Sequence, residues 1–198
     1  MYQDELGWVA VPDLLSASDA EALALDCERA LAQIGDDVRT GDKPVSGTHR
    51  LVQLIERVPA VTRLAALPAI TGVVTRILGS DVVLQGATFR NPQPGFGSQR
   101  LHADAVPMTA IGPAQSATAI VALVDFTDLN GATRLVPGSH VRPDLQRLAG
   151  NLDDHPDAIT LTGLAGTAFI YSGHILHSGT RNNSAHPRPA LQLNWQRV

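Results

Sequence analysis

The chain has 198 residues and a mass of 20.9 kDa, which is the size of one domain with a sizeable core. Hydrophobic residues make up 44% of it, which excludes a disordered chain, and the formal charge of −4 lacks the basic excess that nucleic-acid binding requires. We therefore expect a globular protein with no nucleic-acid partner.

The only cysteine and the N-terminal sequence bear on the cellular compartment. Cys27 lies in an Ala- and Leu-rich helical pattern, which predicts a buried structural thiol, and one cysteine forms no intrachain disulfide. The first residues lack the basic and then apolar pattern of a signal peptide. No apolar run reaches the roughly 18 residues of a membrane span. These features predict a soluble cytoplasmic protein with no membrane partner.

Helical patterns dominate residues 1–81. The first helix is predicted to begin at Ser16 or Ser18, which are both candidate N-caps, and to end at Gly35. Two further helices each begin with proline, which is favoured in the first helical turn. These two helices cover residues 59–67 and 68–79.

From residue 82 to residue 198 the pattern changes to short β-rich runs bounded by Gly, Pro, Asn or Asp. The runs are 82–90, 99–106, 116–126, 132–138, 158–163, 166–173, 175–180 and 190–196. Such a series without intervening helices predicts a mostly β protein with a double-stranded β-helix, a jelly roll of the cupin-like kind. We expect this core to pack against the N-terminal helices in a single domain of residues 1–198.

The predicted strand QRLHADAV carries a His-x-Asp pair. In a strand, His102 and Asp104 would project from the same face, where an imidazole and a carboxylate can be adjacent ligands of one cation. The pattern alone is weak, because it is also typical of the solvated face of a sheet. A third ligand has to come from elsewhere in the chain.

The other histidines differ in how well they suit that role. His49 and His155 lie in polar loops and are predicted to be surface residues, and His140 ends the turn sequence LVPGSH, where a structural role is expected. His174 and His177 lie three residues apart in GHILHSG. Extended chain would direct them to opposite faces, so at most one joins the site.

Arg188 follows His177 by eleven residues, at the start of the last predicted strand. An arginine directed into the interior of a β-barrel needs a carboxylate, which a bound organic acid would supply. A surface position on an edge strand is the alternative.

Three segments in fixed order share a larger pattern. They are LHADAVP (101–107), VALVDFTDLNGATRLVPGSH (121–140) and GTAFIYSGHILHSGTRNNSAHPRPALQLNW (166–195). The succession H-x-D, N-G…P-G-S-H, and a histidine with an arginine eleven residues later resembles the phytanoyl-CoA dioxygenase family of iron(II)/2-oxoglutarate oxygenases.

The resemblance implies the site residues and the reaction. His102, Asp104 and His177 match the catalytic iron ligands, and Arg188 matches the arginine that grips the distal carboxylate of 2-oxoglutarate. In the family, 2-oxoglutarate takes two of the three open iron positions and dioxygen takes the third. The implied reaction is hydroxylation of a C–H bond in a small molecule, with succinate and carbon dioxide as co-products. The compact size and Ala-rich composition of the chain suggest a role in secondary metabolism. Related halogenases lack the carboxylate, so Asp104 disfavours halogenation.

The chain departs from the family pattern at two positions. The family often has a serine two residues after the distal histidine, where this chain has Gly179 between Ser178 and Thr180. We predict that Thr180 contributes to co-substrate binding. An aromatic residue common in the family is replaced by Ile120, so part of the co-substrate pocket is built differently.

Two other functions use the same residues differently. A zinc- or manganese-dependent cupin-like hydrolase or isomerase would need the three ligands but not Arg188. A non-catalytic small-molecule-binding jelly roll would need neither. Two Gly-containing loops, 35–50 and 91–98, are candidate lids or ordinary surface connections, and Phe96, Gln99 and Arg100 lie near enough to the iron ligands to reach a substrate.

Overall fold

The computed structural model describes residues 3–34, 47–106, 108, 111–146 and 155–198. Within these ranges the strands are β1 (Trp8–Val11), β2 (Thr48–Leu51), β3 (Val82–Pro92), β4 (Ser116–Ala122), β5 (Thr133–Leu135), β6 (Ile159–Thr160), β7 (Ala168–Ser172), β8 (His177–Gly179) and β9 (Ala190–Arg197). The helices are α1 (Ala17–Ile34), α2 (Leu54–Arg57), α3 (Pro59–Ala65), α4 (Pro68–Leu78) and α5 (Pro143–Gln146). A 3₁₀ turn covers Ser139–Val141.

The strands form two antiparallel sheets. The large sheet has the order β1-β7-β4-β9-β3-β2, and the small sheet has the order β6-β5-β8. A buried cluster joins their facing sides, with Ile120, Phe169 and Tyr171 from the large sheet and Leu135 from the small one. This arrangement confirms the predicted mostly β, cupin-like fold with helices.

The helices cover the other side of the large sheet. Leu23 and Cys27 of α1 and Val74 of α4 share one core cluster with Ala119 and Leu193 of the sheet. Their residues recur at helical spacing, so each helix presents one apolar face to the sheet. The opposite face of the large sheet is therefore free of helices and faces the small sheet.

The start of α1 agrees with the sequence. The backbone N–H of Asp19 donates to Oγ of Ser16 at 3.1 Å, so Ser16 is the N-cap and α1 begins at Ala17. The predicted end at Gly35 lies outside the described residues.

Two strands were not predicted in the N-terminal part. The large sheet has β1 and β2 as its two outer strands, paired with β7 and β3. Each has only four residues, too few for a clear alternation, and its pairing partner lies far along the chain.

The predicted strand over 99–106 is wrong. His102 pairs only as an isolated bridge with His177, and the chain bends at Asp104 and Ala105. The bend moves the carboxylate off a regular strand face and toward the two imidazoles.

No single helix among the described residues is long and apolar enough to cross a membrane. The pair α3 and α4, bent by 58°, has the length and composition of a span only when both are taken together.

Candidate metal centre

His102 and His177 are brought together by reciprocal main-chain hydrogen bonds. His102 N–H donates to the His177 carbonyl at 3.0 Å, and His177 N–H donates to the His102 carbonyl at 2.8 Å. The two imidazole centroids lie 4.5 Å apart. His177 is the first residue of β8, so the small sheet fixes its position and, through the bridge, that of His102.

Asp104 completes a cluster of three donors. Its Oδ1 lies 3.8 Å from Nε2 of His102, and its Oδ2 lies 3.8 Å from Nε2 of His177. The three ligand atoms all lie within 4.8 Å of one another. The His102 side chain is 40% exposed and that of His177 is 6% exposed, so the cluster opens to solvent on the His102 side.

Both rings are oriented by main-chain carbonyls. Nδ1 of His102 lies 2.8 Å from the Arg100 carbonyl, and Nδ1 of His177 lies 3.0 Å from the Ile175 carbonyl. Because a carbonyl can only accept, each Nδ1 carries a hydrogen, and Nε2 is the nitrogen that offers its lone pair to a metal. The lone pairs lie on the side of Asp104, as metal ligands require.

The carboxylate is held by a polar chain from the large sheet. Thr118 Oγ1 donates to Oδ2 of Asp104 at 3.3 Å, and Nδ2 of Asn194 donates to Thr118 Oγ1 at 3.0 Å. The register pairs Thr118 with Asn194 and with Tyr171, so the three lie side by side on the face toward the small sheet.

The pKa shifts of His177 and Tyr171 favour binding of a cation by the cluster. Burial lowers the pKa of His177, against the opposing effect of Asp104, so its ring is neutral near pH 7. Burial and then Asp104 raise the pKa of Tyr171 well above its usual range, and its ring lies 4.9 Å from that of His177. Tyr171 therefore stays protonated and packs against the ligand without adding charge.

The donor set fits iron(II). Two imidazole nitrogens and one carboxylate converge, and the side of the cluster toward solvent is left for other ligands. This composition is typical of non-haem iron oxygenases, although imidazole and carboxylate also bind zinc and manganese.

Arg188 is buried with unused donor capacity. It is 5% exposed, Nη2 donates to the Gly131 carbonyl at 2.7 Å, and the guanidinium carbon lies 4.7 Å from the centre of the Phe126 ring. Its Nε has no hydrogen-bond partner among the described residues. Burial, and then the charge of Arg90, lower the pKa of Arg188 to about 9. A buried cation with a free N–H fits a ligand carboxylate.

The positions next to His177 differ in what they can offer. Thr180 donates its hydroxyl to the Ala132 carbonyl at 2.8 Å, so it has no hydrogen left for an incoming carboxylate. A Cβ at Gly179 would lie 2.8 Å from the Gly97 carbonyl oxygen, so the main chain at Gly97 leaves no room for the side chain of the family's serine. Ser178 accepts from Nε of Arg134 at 2.8 Å in a buried pair.

Other histidines have structural roles or lie outside the site. His174 accepts from the Gln115 N–H at 3.0 Å through Nε2, and its Nδ1 hydrogen-bonds to the Val106 carbonyl. Nε2 of His140 lies 2.8 Å from the Asp4 carbonyl, as its predicted structural role requires.

The prediction that His155 is a surface residue is wrong. It is 6% exposed, and its Nδ1 accepts from the Asp157 N–H at 3.1 Å. Polar neighbours in sequence misled here, because the ring itself packs inward. His49 is exposed, as predicted.

The candidate lid 91–98 is tied to a neighbouring loop. Gly95 N–H donates to the Asn182 carbonyl at 2.6 Å, and Asn182 N–H donates to the Phe96 carbonyl at 2.7 Å. Gln99 accepts from the Gly179 N–H at 3.1 Å, so its side chain supports β8. Most of the other candidate lid, residues 35–46, lies outside the described residues.

Sequence reasoning missed three polar residues at the site. They are Thr118 on β4, Asn194 on β9 and Arg90 on β3. Each lies at a position of its strand that faces the small sheet. A polar residue at the inward position of a buried strand was the signal that could have identified them.

Comparisons with known proteins identify the family of the chain. The family model described as phytanoyl-CoA dioxygenase (PhyH) matches residues 3–190. L-proline trans-4-hydroxylase of Streptomyces griseoviridis is 26% identical over 225 residues, which cover 97% of this chain and 83% of that protein.

Two solved structures from nogalamycin biosynthesis share the fold. The non-heme alpha ketoglutarate dependent epimerase SnoN has a TM-score of 0.76 at 25% identity and is covered to 78%, with 98% of this chain aligned. The carbocyclase SnoK has a TM-score of 0.78 at 22% identity and is covered to 80%, again with 98% of this chain aligned. Because the family model spans nearly the whole chain, the protein belongs to the phytanoyl-CoA dioxygenase family.

Proposed function

We propose that the protein is a non-haem iron(II)- and 2-oxoglutarate-dependent dioxygenase that hydroxylates an unactivated C–H bond of a small molecule, in secondary metabolism. The observation that carries the proposal is the convergence of His102, Asp104 and His177 within 4.8 Å, together with the burial of Arg188 and its unpaired Nε. A solved relative, SnoN, supports it, since that protein has been crystallised with Fe3+, alpha ketoglutarate and nogalamycin RO.

The residues of the chain would divide the work as follows. His102 and His177 present Nε2 lone pairs to iron, and Asp104 presents a carboxylate that Thr118 holds. Arg188 would bind the distal carboxylate of 2-oxoglutarate through its unused Nε. When bound, iron(II) and 2-oxoglutarate supply a reaction with dioxygen in which a C–H bond becomes C–OH and 2-oxoglutarate becomes succinate and carbon dioxide.

The surroundings favour that chemistry. Ile120, Phe169 and Ile175 are buried in the apolar cluster between the two sheets, which also contains Tyr171, the ring neighbour of His177. Such apolar surroundings would exclude water from the site. Tyr171 remains neutral against the ring of His177, so the charges at the site are those of Asp104 and the arginines. We place the reaction in the cytoplasm, because Cys27 is buried and unpaired, as suits a reducing compartment.

The test is anaerobic addition of iron(II) and then 2-oxoglutarate, followed by visible absorption and titration calorimetry. The expected result is a weak charge-transfer band of the chelate, lost in His177→Ala and retained in His49→Ala, which removes an exposed histidine instead. Arg188→Met should lose 2-oxoglutarate binding but keep the metal. Absence of both the band and 2-oxoglutarate binding in the unaltered protein would contradict the proposal.

The same protein and variants distinguish the proposed function from the two alternatives. A zinc- or manganese-dependent hydrolase or isomerase would form no succinate from 2-oxoglutarate, and Arg188→Met would leave its activity unchanged. A non-catalytic binding protein would bind its ligand normally after His177→Ala.

A further inference from the structure

Asp104 lies on an exposed stretch of chain that belongs to no strand. The chain bends at Asp104 and Ala105, and both Asp104 and Val106 are exposed. A bend of this kind is held only by individual hydrogen bonds, whereas a metal centre needs each of its ligands fixed in place. The position of the carboxylate therefore depends on the contacts that the chain makes on either side of it.

A short segment, residues 173–177, holds the chain on both sides of the bend. His177 exchanges two main-chain hydrogen bonds with His102, at 3.0 and 2.8 Å. The Gly173 carbonyl accepts from the Ala105 N–H at 2.9 Å. The chain before the bend and the chain after it are therefore attached to the same segment, which also carries the most buried ligand of the centre.

His174 adds a side chain to these main-chain contacts. It is 2% exposed, its Nδ1 donates to the Val106 carbonyl, and its Nε2 accepts from the Gln115 N–H at 3.0 Å. Because a carbonyl only accepts and a main-chain N–H only donates, both ring nitrogens are used and their roles are fixed. The ring thus joins the chain two residues after Asp104 to the residue that precedes β4.

This link has an effect on the centre because β4 also holds the carboxylate. Thr118 of β4 donates to Oδ2 of Asp104 at 3.3 Å. The backbone after Asp104 and its side chain are thus attached to one stretch of chain, through Gln115 and Thr118. Loss of the His174 ring would leave the contact to the carboxylate but release the backbone that directs it.

Close approach between residues 173–177 and β4 makes the link possible. Gly173 N–H donates to the Ser116 carbonyl at 2.8 Å, and a Cβ at Gly173 would collide with Oγ of Ser116. A side chain at position 173 would therefore push the segment away from β4, together with the His174 ring. The succession of glycine and histidine permits both the approach and the link.

Resting on the proposed function, we propose that His174 is a positioning residue of the metal centre, which fixes the bend that carries Asp104 without binding the metal itself. Both of its ring nitrogens are occupied by main-chain groups, whereas His177 presents Nε2 toward Asp104. The two histidines of GHILH therefore divide the work, since one binds the metal and the other holds the segment of a second ligand.

The test measures the nickel(II) affinity of the full chain by competition with a chelator, so that binding is measured without turnover. His174→Phe keeps a planar ring and removes both hydrogen bonds, and it should weaken binding roughly 10- to 100-fold, as loss of groups that orient a ligand does. His174→Gln keeps a donor and an acceptor on one planar group and should recover part of the affinity. His155→Phe alters another buried histidine, whose ring accepts from the Asp157 N–H, and should leave the affinity unchanged.

A second pair of variants asks whether His174 acts through Asp104. Asp104→Ala leaves His102 and His177 to bind nickel(II) more weakly. In that background His174→Phe should change the affinity by less than about twofold, because the residue has no ligand left to position. Amide hydrogen exchange of the metal-free protein gives a further readout. The Ala105 amide should exchange faster in His174→Phe, while the amides that pair β4 with β9 stay protected.

Three results would overturn the proposal. They are an unchanged nickel(II) affinity of His174→Phe, an equal loss of affinity with and without Asp104, and native exchange of the Ala105 amide in the folded variant. Should His174→Phe not fold by circular dichroism, His174→Asn, which is too short to reach both partners, replaces it with the same expectations. An unaltered protein that binds nickel(II) but not 2-oxoglutarate would instead contradict the proposed function, and the metal affinities would still decide the role of His174.

Discussion

Thr118 on β4 donates its hydroxyl to Oδ2 of Asp104 at 3.3 Å. Nδ2 of Asn194 donates to the same hydroxyl oxygen at 3.0 Å, so the hydroxyl hydrogen of Thr118 points at the carboxylate. The large sheet thus orients a ligand that lies on a bend of the chain, where no regular hydrogen-bond ladder could do so.

We expect Thr118→Val to weaken iron(II) binding roughly 10-fold, because partners that orient a metal ligand typically contribute that much. Valine keeps the shape and removes the hydrogen bond. Thr118→Ser keeps the hydroxyl and should bind iron(II) like the unaltered protein. Competition titration with a metal chelator measures both, and equal affinity of all three proteins would contradict the role of the hydroxyl.

Restoring the family's serine at Gly179 is expected to harm the protein. A Cβ there would lie 2.8 Å from the Gly97 carbonyl oxygen and 3.1 Å from Oε1 of Gln99. Gly179→Ser should therefore reduce the free energy of unfolding by about 1–3 kcal/mol, the usual effect of overpacking. Urea unfolding measures it, with Gly72→Ser on α4 as control, since nothing lies within 4 Å of a Cβ at Gly72. Native stability with tighter 2-oxoglutarate binding would show this expectation to be wrong.

Arg188 is expected to lower stability when no anion is bound. Its pKa is lowered to about 9, chiefly by burial, so the folded protein binds this proton less tightly than the unfolded chain does. The resulting loss of stability is complete below about pH 9 and diminishes as the pH rises above that value. Arg188→Met should therefore raise the free energy of unfolding at pH 7 by about 1–4 kcal/mol.

Unfolding of both proteins at pH 7 and pH 10, with and without 2-oxoglutarate, tests that expectation. The advantage of Arg188→Met should be smaller at pH 10, and 2-oxoglutarate should stabilise only the protein that has Arg188. A variant less stable than the unaltered protein at pH 7 without 2-oxoglutarate would refute the argument.

Cys27 should be inert while the fold is intact. Burial raises its pKa to about 12, with a smaller contribution from the neighbouring acids Asp26 and Glu28. Iodoacetamide reacts with the thiolate, so at pH 8 the folded protein should stay unlabelled and the urea-unfolded protein should be labelled fully. Mass spectrometry follows the reaction. Rapid labelling of the folded protein would mean that α1 separates readily from the sheet.

The residues proposed as iron ligands were easier to identify from the sequence than the residues that support them. His102, Asp104 and His177 stand out because ligand chemistry restricts residue type and spacing, and both features are visible in the chain. The polar support from Thr118 and Asn194 depends on which strands are neighbours, and β4 and β9 are separated by most of the C-terminal half. The same limit applies to Gly179, because only tertiary structure reveals the Gly97 carbonyl beside it.

The helices and the order of the C-terminal strands were also predictable, since their patterns are local. His155 and the strand over 99–106 were predicted wrongly for a shared reason. Both predictions relied on the residue types in a short segment, whereas burial and strand pairing depend on which distant segments pack against it.

The two outer strands of the large sheet have a consequence for how the protein is made. Val11 of β1 pairs with Ala168, so during synthesis β1 emerges long before its partner exists. The ribosome must therefore release nearly the whole chain before the sheet can close at both margins. Once closed, β1 and β2 cover the hydrogen-bonding edges of β7 and β3, which would otherwise invite pairing between molecules. A fragment beginning at residue 82 would expose both of those edges, and we expect it to aggregate.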